Sequence, residues 1–228
     1  MLEANLIQIA GVIDAAEAAM LQQCEIRYLG FPLRLPIHRQ DLTEDEAAAI
    51  IKSLAPPVFG VLITYLDEAS EIAAFCHALG ARIVQLHGDI HRDELKHLKT
   101  VDPDLTIIKS LVVGMHDDKA LEAMVGELSP LVDAFITDTF DPKTGASGAT
   151  GKTHDWRVSR RLVKLADRPV ILAGGLTPEN VKRAILEVRP AGVDSHTGVE
   201  DSTGRKSRGK VNKFLSEANE AFELVKAK

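Results

Sequence analysis

Short apolar runs suited to buried parallel strands recur eight times along this 228-residue chain, and a stretch with helical character follows each. The runs are Leu6–Ala10, Ile26–Phe31, Val58–Thr64, Arg82–His87, Leu105–Ser110, Ala134–Asp138, Pro169–Ala173 and Gly192–His196. Helical spacing is plain in Ile72, Phe75, Cys76 and Leu79, and again in Val181, Ile185 and Val188. Helix starts are marked by Asp14, by Thr43 with Glu46 three residues on, and by Thr177-Pro178-Glu179. Eight strand-then-helix units in a chain of this length predict one α/β domain over residues 1–228, a closed (β/α)8 TIM barrel. An open doubly wound sheet of eight strands is the alternative arrangement.

Charge narrows the partners. A formal net charge of −6 argues against general affinity for nucleic acid or an anionic membrane, yet leaves room for a phosphate pocket built from backbone amides. The longest apolar run, Pro56 to Leu66, falls short of the roughly 20 residues a bilayer requires, and the first residues carry no basic or apolar leader. Cys24 and Cys76 sit in separate apolar segments without C-x-x-C spacing, which reads as two buried thiols in a reducing compartment. The expectation is a cytoplasmic protein, monomer or homodimer, acting on a small molecule.

In a barrel, chemistry sits where the strands end, so the polar residues there matter most. The fourth run ends in Gln85-Leu86-His87-Gly88-Asp89, with Gln85 and His87 on one side of the strand. The fifth is read as ending near Lys109, the sixth at Asp138, and the eighth at Asp194-Ser195-His196-Thr197-Gly198. The seventh runs into Gly174-Gly175 before the helix expected from Thr177. Glycine-bearing turns after the last two strands let backbone amides close on an anion, so Gly174, Gly175, Thr197 and Gly198 are candidate phosphate ligands. The long polar loop Thr139–Asp155 adds Gly151 to that set. Taken singly, Asp138 is equally a helix cap or a partner of Lys109, and His87 a structural histidine.

Four strings carry a resemblance: Val84 to Asp89, Gly148 to Trp156, Pro169 to Leu176, and Gly192-Val193-Asp194 running on to Gly198-Val199-Glu200. Together they resemble the phosphoribosylanthranilate isomerase family, a barrel enzyme of tryptophan biosynthesis, over nearly the whole chain. The resemblance implies an Amadori rearrangement of an N-linked phosphoribosylamine into an amino-ketose phosphate, with no metal and no organic cofactor. It also implies that Asp138 is the general acid that opens the sugar ring. The substrate contacts it implies are Gln8, Arg39, Gln85, His87, Lys109 and Asp194, with Arg34 a weaker match than Arg39.

The chain departs from the family at the first strand. The family's Lys-Ile-Cys-Gly-Ile-Thr reads Gln8-Ile9-Ala10-Gly11-Val12-Ile13 here, so the general-base cysteine is Ala10. Losing a general base costs about 10²–10⁴-fold in rate unless another group replaces it, so weak turnover of phosphoribosylanthranilate is expected. Barrel closure sets the eighth strand beside the first, which makes His196 the candidate replacement. The other use of His196 is as a ligand or phosphate neighbour. Other readings are an isomerase or lyase for a different phosphosugar, and a phospholigand-binding protein without catalysis.

Overall fold

The computed structural model describes residues 2–36, 41–140, 142–143 and 151–227. Its strands are β1 (Leu6–Ala10), β2 (Tyr28–Pro32), β3 (Phe59–Thr64), β4 (Ile83–Leu86), β5 (Thr106–Val113), β6 (Ala134–Thr139), β7 (Val170–Leu172) and β8 (Gly192–Ser195). Between and after them run α1 (Ala15–Gln23), α2 (Glu44–Ser53), α3 (Ala69–Leu79), α4 (Arg92–Val101), α5 (Asp118–Leu128), α6 (Trp156–Leu165), α7 (Val181–Val188) and α8 (Arg208–Lys226). Each strand pairs in parallel with the next, and β8 pairs with β1, Gln8 opposite Asp194. That last pairing closes the sheet and removes the open-sheet alternative.

Alternation along the strands sorts the core into two layers. Leu6, Ala10, Val61, Ile63, Ile108, Ile136 and Ile171 fill the barrel interior. Ile7, Ile9, Leu29, Phe31, Leu86, Ile107, Phe135 and Val193 point the other way, onto apolar helix faces that include Leu21, Ile72, Leu95, Leu162 and Phe214. The caps act as the sequence suggests for α1 and α2. The Asp14 side chain accepts from Glu17 N at 2.7 Å, and Thr43 with Glu46 forms a full capping box.

Two boundaries differ from the sequence reading by three residues or more. β5 continues four residues past Lys109 to Val113, because Ser110 to Val113 keep pairing with Ile136 to Thr139 of β6. The helix expected from Thr177 begins only at Val181. Side chains claim the backbone in between: Thr177 Oγ1 accepts from Glu179 N, while Asn180 accepts from Thr177 N and donates to Gly175 O. The chain therefore makes a locked turn before the helix. Cys24 and Cys76 are both buried and free. No helix among the described residues is long and apolar enough to cross a membrane.

Candidate active site

A cavity of about 470 Å³ opens at the C-terminal ends of the strands. It gathers Ala10, Gln85, His87, Asp138, Asp194 and His196 with the loop residues Gly151, Gly174, Gly175, Thr197 and Gly198. These come from five different strands or the loops after them, which is how a barrel builds a site.

Asp138 sits near the end of β6 on the inward parity shared with Ala134 and Ile136. Its Oδ1 accepts from Thr139 N at 2.7 Å, and its Oδ2 lies 3.9 Å from His87 Nε2. Burial pushes its carboxyl up to about 8, the Asp194 charge adds to the rise, and the Thr139 amide opposes it. His87 is buried and hydrogen-bonded through Nδ1 to Ser110 Oγ at 2.9 Å, with Tyr65 tilted against its ring at 5.0 Å.

Asp194 is also lifted by burial, to about 7, although a hydrogen bond from Gln8 and the charge of Lys206 pull it down. Gln8 lies beneath the cavity floor, fully buried, and its Nε2 donates to Gln85 Oε1 at 3.0 Å. In that orientation Gln8 Oε1 and Asp194 Oδ1 have no donor among the described residues. Turning both amides over satisfies both, Gln85 donating to Gln8 and Gln8 to Asp194, and this is the arrangement that hydrogen bonding favours. Gln8 thus supports Gln85 and Asp194 from below rather than lining the pocket.

Two further sequence expectations are corrected. Lys109 is not at the cavity: it pairs with Leu86, shares the helix-facing parity of Ile107 and Leu111, and donates from Nζ to Ser110 O. The inward residue at that level is Ser110. Arg34 is engaged elsewhere, paired with Glu44 and Glu71 at 2.8 Å each, with its guanidinium 3.8 Å from the Phe75 ring centroid. Arg39 lies outside the described residues. Among the described residues, no cluster of three or more His, Cys, Asp and Glu side chains could hold a metal ion.

His196 follows β8 and lies over Gly11, which adopts φ +76; a Cβ there would overlap the imidazole. The ring therefore rests on the turn that follows Ala10, and both residues line the cavity. Glu200 stands behind it, Oε1 at 3.5 Å from His196 Nε2 and at 2.7 Å from Lys206 Nζ. The loop after β7 is seated on the loop after β6: at Gly175, φ +62, a Cβ would run into the backbone of Lys152 and Thr153. His154 anchors that second loop between Thr139 and Ser159, its pKa driven down to about 4 by burial.

Ser110, Tyr65, Glu200 and Lys206 were not singled out in the sequence. Glu200 stood at the end of a quoted string, and Ser110 carried the inward parity of Ile108, but nothing in the sequence marked Tyr65 or Lys206.

The family model for N-(5'-phosphoribosyl)anthranilate (PRA) isomerase matches residues 8–217. The chain belongs to the PRA isomerase family. Among curated relatives, N-(5'-phosphoribosyl)anthranilate isomerase 2 of Methanosarcina mazei is 38% identical, with 96% of each chain covered. The Haloferax volcanii N-(5'-phosphoribosyl)anthranilate isomerase is 35% identical over 96% of this chain and 95% of its own length. Among solved structures, the phosphoribosyl anthranilate isomerase of Thermotoga maritima superposes with a TM-score of 0.79 at 26% identity, covering 96% of this chain and all of that one. The PRA isomerase match thus runs from Gln8 within β1 into α8.

Proposed function

We propose that this chain is an aldose–ketose isomerase acting on a phosphorylated ribosylamine, with N-(5'-phosphoribosyl)anthranilate as its substrate. The observation that carries the reading is the buried Asp138 carboxyl, lifted to about 8 and facing the cavity it shares with the glycine turns after β7 and β8. A carboxyl in that state still holds its proton near neutral pH, as a general acid requires. The phosphate is held by the amides of Gly174, Gly175, Thr197 and Gly198, with Gly151 beside them. Asp138 gives its proton to the ring oxygen as the C1–O bond breaks and the exocyclic nitrogen forms the Schiff base. His196 then takes the proton from C2, the C–H electron pair becomes the new C1–C2 double bond, and the C1=N pair returns to nitrogen. The resulting enaminol loses its C2 hydroxyl proton and gains a proton at C1, which gives the amino-ketose.

In this reading His196 supplies the base that Ala10 lacks, so the weak turnover expected from the missing cysteine does not follow. Gln85, His87 and Asp194 face the sugar. The protein is cytoplasmic, a monomer or homodimer, and binds no nucleic acid. The test is a turnover assay with N-(5'-phosphoribosyl)anthranilate beside a panel of other phosphoribosylamines. Conversion of the anthranilate compound with kcat/KM above about 10⁴ M⁻¹s⁻¹, the lower end of the usual enzyme range, supports the proposal. Preference for another member of the panel, or no conversion of any, overturns it.

A further inference from the structure

We infer that Glu200 is the positioning residue for the His196 imidazole, with Lys206 as the buried counter-ion that holds the Glu200 carboxylate in place. This rests on the reading of His196 as the base. Three observations converge on one carboxylate oxygen. Glu200 Oε1 lies 3.5 Å from His196 Nε2, the same oxygen is 2.7 Å from Lys206 Nζ, and the Lys206 side chain has no exposure at all. A half-sequestered carboxylate facing only an imidazole would be costly to desolvate, and the ammonium offsets that cost.

The support is rigid. Residues 200 and 206 form an antiparallel bridge, Lys210 Nζ donates to Glu200 O, and Ser207 N donates to Val199 O. Buried Glu17 then ties the turn to the other side of the seam, accepting from Lys206 N at 2.7 Å and from Ile13 N at 3.2 Å. The carboxylate is thereby fixed relative to β1, where the ring rests on Gly11.

The chemistry follows from the two ring nitrogens. A carboxylate facing Nε2 accepts that N–H and leaves the lone pair on Nδ1, so the neutral ring is held in one tautomer. When the ring takes the substrate proton at Nδ1, the same carboxylate stabilises the imidazolium, and no proton passes to Glu200.

The experiment uses the full-length, ligand-free protein labelled with 15N, with His196 identified by the signal lost in His196→Ala. Long-range proton–nitrogen spectra at neutral pH should show His196 as a single neutral tautomer protonated on Nε2. In Glu200→Leu/Lys206→Met, which removes the pair without stranding a charge, the tautomers should mix. There kcat should fall about 10-fold or more, with KM within about 3-fold, since positioning acts on the proton-transfer step. A wild-type His196 protonated on Nδ1, or exchanging freely between tautomers, overturns the proposal without any variant having to fold. So does a mixed tautomer in the double variant with kcat unchanged, provided His196→Ala is impaired. Full turnover in His196→Ala instead sinks the base reading, while the tautomer still reports whether Glu200 holds the ring.

Discussion

At the scale of single residues, the site is governed by a buried carboxyl whose proton weighs on the fold. Asp138 keeps its proton up to about 8. Unfolded, an aspartate releases it near about 4. Between those values the unfolded chain binds fewer protons, so Asp138 costs the fold more as pH rises. Asp138→Asn has no such slope. Its melting temperature should gain on wild type between about pH 4 and about pH 8, and a constant difference would refute the raised pKa. The same variant should lose about 10²–10⁴-fold in turnover while phosphosugar affinity stays within a few-fold. His196→Ala should cost about 10²-fold or more, and Ala10→Cys in that background should return part of the rate; a His196→Ala enzyme at full speed refutes the relocated base. Asp138 was legible because an acid ended an apolar run on the inward parity. Arg34 misled because sequence order cannot show that Glu44 and Glu71 already hold it.

Among the elements, β5 is the instructive one. An apolar run interrupted by lysine reads as a strand ending there, yet Leu111, Val112 and Val113 carry the pairing onward and turn Lys109 toward the helices. Burial lowers Lys109 to about 8. An unfolded lysine titrates near about 10.4, so the fold pays for the charge below about pH 8 and recovers stability as pH rises between these values. Lys109→Met should therefore raise the melting temperature at pH 7, lose that advantage near pH 10, and leave turnover unchanged; a fall in turnover would put Lys109 back at the substrate. The loops after β6 and β7 form a second composite. Because a Cβ at Gly175 meets the Lys152–Thr153 backbone, Gly175→Ala should lower the melting temperature and phosphate affinity together. An unchanged melting temperature would refute the packing. The glycines themselves were visible in the sequence. The partner loop was not, since nothing in Lys152-Thr153-His154 says what it leans on.

For the molecule as a whole, strand-then-helix repetition was enough to read the barrel, because eight such units leave closure as the way to pair every strand. The net charge belongs to this scale too. With −6 overall, the surface repels a phosphorylated substrate out to about a Debye length, which shortens as salt is added. Raising sodium chloride from about 20 to about 150 mM should increase kcat/KM with little change in kcat, and a steep decrease would show that a local positive field dominates. The seam between β1 and β8 has one more consequence, which concerns time. Ala10 and His196 share a cavity but are made 186 residues apart, so at about 5–20 residues per second the first half of the pocket waits on the order of ten to forty seconds for the second. Until β8 arrives, β1 presents an unpaired edge, and no nascent chain short of that strand can trap or process a ligand. The enzyme switches on only after its eighth strand has been made.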